Sequence, residues 1–220
     1  MERTTPPVKT PRPYDSSRRQ QQAGETRAAV LAAARELFLK DGYAQTTVAA
    51  VAAQARVSVE TVYKSFGGKP GLVRAIADQA LSGSGSVHAE ARSDRLQAEE
   101  ADPRTIIRGW GTLMVEVAPR ISPILLLVRA AASTDAEMKT LFDEIAEERL
   151  QRMTHNATTL AIGGHLREGL SVDYAAEVMW TYSSPDLYAL LVVDRGWPLE
   201  RYVEFVAEAM ICALLPSPPP

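Results

Sequence analysis

From Glu25 to Leu215 the apolar residues recur at steps of three and four, and no stretch alternates apolar with polar residues over the length of a strand. An amphipathic helix buries one stripe at that period, whereas a half-buried strand needs a period of two. The chain is therefore expected to be all-α. Val30, Ala34, Leu37 and Phe38 share one face of a first helix, which Gly42 closes after Lys40. Thr46 and Thr47 are suited to cap a short helix from Val48 to Gln54. Ser58 is suited to cap a third, which runs to Phe66 and stops at Gly67-Gly68. Pro70 falls in the first turn of a fourth helix, where proline is tolerated, and Leu72, Ile76 and Ala80 form its inner face.

Further along, SGSGS at 82–86 reads as a flexible linker. Pro103 opens a helix to about Val117, and Pro119 and Pro123 are expected to interrupt the chain before another helix that ends near Ser133. Thr134 or Asp135 caps a long helix through Leu141, Phe142, Ile145, Leu150 and Met153, ending at Gly163-Gly164. Ser171 caps Val172 to Tyr182, Pro185 starts a helix that stops at Gly196, and Pro198 starts the last. Residues 1–22 hold four prolines and almost no aliphatic side chains, so a disordered basic arm is expected there, and residues 216–220 form a similar tail. With Arg18 and Arg19 the arm is either a solvated tail or a minor-groove contact. Between these ends the chain divides into 23–68 and a larger unit, 69–215, with 69–81 as the connecting helix.

A chain of 220 residues can bury a sizeable core, and one cysteine, Cys212, fits a reducing cytoplasm. The longest near-apolar run, Ile121 to Ser133, is broken by Pro123 and Arg129 and is short for a membrane span. His88, His155 and His165 lie far apart, and no nucleophile elbow or phosphate-cradling loop is present. Neither metal, cofactor, catalysis nor membrane partner is expected. The net charge of −3 conceals an asymmetry: residues 1–80 carry +5 and residues 81–220 carry −8. A basic amino-terminal third on an acidic body points to a polyanion at one end.

Two short helices joined by Ala55-Arg56-Val57 make a helix-turn-helix, locked from within by Val51, Ala52, Val57, Val62 and Phe66. The outer face of the second helix then carries Val59, Glu60, Thr61, Tyr63, Lys64 and Ser65. A helix that reads DNA needs short groups near its N-terminus and phosphate-seeking groups beside them. Thr61 suits a base edge or a thymine methyl, and Lys64 a phosphate or guanine. Tyr63 suits a phosphate. Glu60 suits either a cytosine amino group or the helix dipole. Lys69, at the start of the next helix, suits an anion near that helix's free amides.

Residues 26–72, with AARELFLKDGY, the TTV start and the block VSVETVYKSFGGKPGL, resemble the DNA-binding domain of the tetracycline-repressor (TetR) family. The body from Asp102 to Leu215, with RAAASTDAEM, LREGLSVDYAAEVMW and SPDLYALLVVDRGWPLERY, is similar to the ligand-binding half of such regulators. The resemblance implies a homodimeric bacterial transcriptional regulator, usually a repressor, released from a double-stranded DNA operator by a small molecule. It also implies that Thr47, Tyr63 and Lys69 hold phosphates while Ser58, Val59, Glu60, Thr61 and Lys64 face the major groove. An all-helical adaptor that binds protein rather than DNA is the alternative.

For an apolar or amphiphilic effector the candidate wall is Trp110, Met114, Val117, Leu125 and Phe142, with Arg129, His155 and Tyr182 among the polar groups. Leu199, Val203, Val206 and Met210 recur at four and three in the last helix, and Leu187 and Leu191 precede them. These six are expected at a two-fold, four-helix interface.

Overall fold

The protein is described by a computed structural model, which covers residues 16–82 and 87–217. The expected arm over 1–15, most of the SGSGS linker and residues 218–220 lie outside the described residues. The order is α1 (Ser16–Gln45), α2 (Val48–Ala55), α3 (Val59–Phe66), α4 (Lys69–Leu81), α5 (Ala89–Glu99), α6 (Pro103–Ala132), α7 (Ala136–Ile162), α8 (Val172–Tyr182), α9 (Pro185–Tyr188) and α10 (Leu199–Leu214). A π-helical stretch, Ala189–Asp194, extends α9. Among the described residues there is no strand. The fold is all-α.

Three boundaries depart from expectation. Residues 16–22 are helical rather than part of a disordered arm, because a formed helix propagates readily through Arg, Gln and Ala. Gln21 Nε2 donates to Glu25 Oε1 at 3.0 Å along that extension. Gly42, at φ 82° and ψ 166°, interrupts the helical backbone of α1 near its end, as its freedom at positive φ allows. The second is α5, a polar helix between the expected linker at 82–86 and Pro103, where no element was expected. It is fastened by Arg92 to Glu116 at 2.7 Å and by Arg152 to Asp94 at 2.7 Å.

The third is α6, which runs unbroken through Pro119 and Pro123. Each proline removes a helical hydrogen bond at a cost of about 3 kcal/mol. Burial offsets it: Ile107, Ile124 and Val128 are fully enclosed, and α1, α4, α5, α7 and α10 all pack on this helix. Between the prolines, Arg35 Nη1 donates to the Arg120 carbonyl at 2.9 Å, tying α1 to the interrupted ladder. Burial, then the neighbouring Arg120 charge, lowers the Arg35 pKa. Unlike the short run anticipated, α6 is long and apolar enough by composition to cross a bilayer, but here it is the central helix of the core.

Two apolar clusters hold the molecule. One joins Val30, Phe38, Val51, Val62 and Leu72 of the first four helices to Ile124, Val128 and Met138 of α6 and α7. It crosses the expected boundary at residue 68. The other gathers Ile107, Trp110, Leu160, Met179, Tyr202 and Met210.

Candidate nucleic-acid interface and cavity

The helix-turn-helix is built from its caps. Thr47 Oγ1 accepts from the Ala50 amide at 3.1 Å to start α2. Arg56 closes α2 in the left-handed conformation, φ 57°, the only non-glycine residue at positive φ among the described residues. Ser58 Oγ accepts from the Thr61 amide at 3.1 Å and lies 2.8 Å from Thr61 Oγ1, so both hydroxyls serve the cap and the methyl of Thr61 is left over. Val62 is wholly buried against α2, which turns Val59, Glu60, Tyr63 and Lys64 outward. Tyr63 is 51% exposed, an aromatic ring held over solvent beside a lysine. Arg27 of α1 stacks on the Phe66 ring at 4.5 Å and steadies the far end of α3.

Lys69 is placed differently from the others. Its Nζ donates to the Tyr43 carbonyl at 2.7 Å and sits 4.1 Å from the centre of the Tyr43 ring. It therefore fastens the end of α1 to the start of α4. Burial, followed by the charges of Asp135 and Glu137, pushes the Tyr43 phenol up to about 12. This tyrosine lies where the helix-turn-helix meets the N-terminus of α7.

Between the two apolar clusters lies a cavity of about 250 Å³. Ala77, Asp78 and Leu81 of α4 form one side, and α5, α6, α7, α8 and α10 the rest. Trp110, Met114, Val117 and Leu125, expected as lining residues, are all in its wall. Leu125 is shared with a neighbouring hollow, whose lining also includes Arg129 and Phe142. Arg129 forms an ion pair there with Asp186. His155 is instead exposed and lies 3.3 Å from Asp94, and Tyr182 lines neither space, so these two side chains are not brought to the cavity. Sequence reasoning missed Ser93, Arg149, Arg152 and Asn156, which do line it.

The profile of the bacterial regulatory proteins of the tetR family matches residues 30–76. Over 181 residues the chain is 38% identical to the uncharacterized HTH-type transcriptional regulator YvkB of Bacillus subtilis strain 168, covering 81% of this chain and 92% of that protein. The chain belongs to the TetR family. This TetR-family member, a helix-turn-helix transcriptional regulator, is also 29% identical over 177 residues to TtgR of Pseudomonas putida, across 75% of this chain and 80% of TtgR. Its fold matches NalD of Pseudomonas aeruginosa with a TM-score of 0.69 at 21% identity, covering 89% and 98% of the two chains. It matches the SmeT-triclosan complex with a TM-score of 0.68 at 19% identity, covering 89% and 99%.

The expected seam of α10 faces the protomer's own core. Val203, Val206 and Met210 are buried inside the protomer, Val206 with no exposed surface at all. The reason lies in α6: a Cβ added to Gly111 would stand 2.9 Å from Val203 Cγ1, so the bare glycine lets α10 seat closely on α6. Leu187, Leu191 and Leu199 are half-buried against the same cluster. Left on the outside are Leu190, 54% exposed, Val193, 63% exposed, and Phe205, 42% exposed. Phe205 meets the Trp197 ring edge-on at 5.7 Å.

Proposed function

We propose that this TetR-family regulator is a repressor that binds a two-fold related DNA operator as a homodimer and is released when a small molecule fills the cavity between its two clusters. The observation that carries the reading is the course of α4. Its first turn is fixed to the helix-turn-helix through Lys69 and Tyr43, and its last turn supplies Ala77, Asp78 and Leu81 to the cavity wall. A ligand that prefers one tilt of α4 thereby favours one position of α3. Linkage requires such a difference between states, and the two recognition helices must reach successive grooves roughly 34 Å apart. NalD is the secondary repressor of the MexAB-OprM multidrug efflux pump, and SmeT is seen with triclosan, which agrees with a repressor that takes small molecules. The exposed face of Leu190, Val193 and Phe205 is the surface assigned to the dimer. The protein acts in the cytoplasm.

The test is binding of the full-length protein to the DNA flanking its own gene, measured at rising salt. Sequence-specific binding is expected, with Tyr63, Lys64 and Thr47 at the backbone. Lys64→Ala should weaken binding to every sequence and lower the salt slope by about one unit, since one phosphate contact is lost. A complex that ordinary competitor DNA removes entirely would return the protein to the adaptor reading.

A further inference from the structure

The cavity wall contains a cation in ion-pair contact with no carboxylate among the described residues. Arg149 of α7 lies over the Trp180 ring at 4.2 Å, and its Nη1 donates to the Trp180 carbonyl at 2.7 Å and to Ser183 Oγ at 3.2 Å. Both acceptors belong to the C-terminal end of α8, where the helix dipole offsets only part of a full charge. The carboxylates around it are committed elsewhere. Glu148 holds Arg74 in a two-pronged contact at 2.7 and 2.9 Å, Asp186 pairs with Arg129, and Asp94 pairs with Arg152. Of the other acidic lining residues, Asp78 pairs with Arg74 at 3.0 Å and Glu90 is exposed on α5. Burial pushes the Arg149 guanidinium down to about 10, with the Asp186 charge opposing.

Nε and Nη2 of Arg149 make no hydrogen bond among the described residues, and the side chain lines both the cavity and the neighbouring hollow. The free Nε and Nη2 of this cation, in a largely apolar space, ask for an acceptor oxygen bearing negative charge.

We propose that the cavity binds an anionic amphiphile, with a carboxylate or phenolate oxygen on Arg149 Nε and Nη2 and an apolar body along Leu113, Met114, Val117 and Ile121. A neutral ligand leaves the cation as it is, and a cationic one adds repulsion. This deepens the effector reading and rests on it, so binding and DNA release are measured separately.

Full-length protein is titrated calorimetrically at neutral pH with decanoate, decanol and decylamine, which share one chain and differ in head charge. The same three are added to the protein–DNA complex. Decanoate is expected to bind at least tenfold more tightly than decanol, as charge-assisted hydrogen bonds allow, and decylamine more weakly than either. Arg149→Gln should bring decanoate to within about twofold of decanol while leaving decanol affinity and the helical circular dichroism unchanged. If that variant does not fold, the ranking of the three probes on the wild-type protein decides. Decanol equal to or tighter than decanoate, an undiminished decanoate preference in folded Arg149→Gln, or no binding of any probe would overturn the proposal. Tight decanoate binding that leaves the DNA complex intact would keep the anion site and remove the effector reading.

Discussion

Gly71 has no room for a side chain. An added Cβ would lie 1.7 Å from the Phe66 carbonyl oxygen, a backbone atom that no rotamer change can move. The exit of α3 therefore fits α4 only with glycine at this position. Gly71→Ala should shift α4 off α3, lower stability by about 1–3 kcal/mol or more, and weaken DNA binding at temperatures where the protein is still folded. Thermal unfolding and operator titration on one preparation check both. Lys69 carries a related lesson. From the sequence it reads as a cation for phosphate, and nothing in the letters shows that the Tyr43 carbonyl lies 2.7 Å from its ammonium. Ser58 was legible because a cap is a local event, whereas the Lys69 contact joins residues far apart in the chain.

At the scale of elements, α4 and α7 are joined by Arg74 and Glu148. Both side chains are partly exposed, so the bridge itself contributes little stability, about 1 kcal/mol at most. Its importance is positional, because Glu148 lines the cavity while Arg74 rides on the helix that leads to α3. Glu148→Gln should change the melting temperature by only a few degrees yet reduce the factor by which a bound ligand lowers operator affinity. Titrating DNA with and without ligand for both proteins gives that factor. A full ligand response in the variant would remove the bridge from the coupling. The N-terminal ends of α2, α3, α7 and α8 were readable from Thr47, Ser58, Asp135 and Ser171, since each side chain satisfies amides two or three residues on. The continuity of α6 was not, because proline argues locally for a break and only packing on several sides overrides it. Helix α5 was hidden by its polarity: its ties are ion pairs to distant helices rather than an apolar stripe. Arg149 was hidden likewise, since a lone arginine amid the charged residues of α7 reads as a solvated group.

For the whole molecule, the face that carries Leu190, Val193 and Phe205 is assigned to self-association, and the seam beneath it to the core. The two give opposite outcomes on substitution. Val193→Glu with Phe205→Glu should yield folded monomers in sedimentation, with weakened operator binding. Val206→Glu should instead unfold the protomer, because it places a charge among fully buried side chains. A double variant that remains dimeric would move the interface elsewhere.

The cluster that runs from Val30 and Phe38 through Leu72 to Ile124, Val128 and Met138 also bears on how this molecule could be re-engineered. A helix-turn-helix joined to the rest of its chain by an apolar weld has no seam along which to be unscrewed. Residues 16–82 made alone should expose that weld and give the collapsed, poorly dispersed amide spectrum of an unpacked chain. A hybrid cut between Gly68 and Lys69 would set a foreign helix face on Ile124 and Val128. Retargeting to a new operator is better attempted at Val59, Glu60 and Thr61, the positions of α3 expected to face bases, leaving every residue beneath them in place.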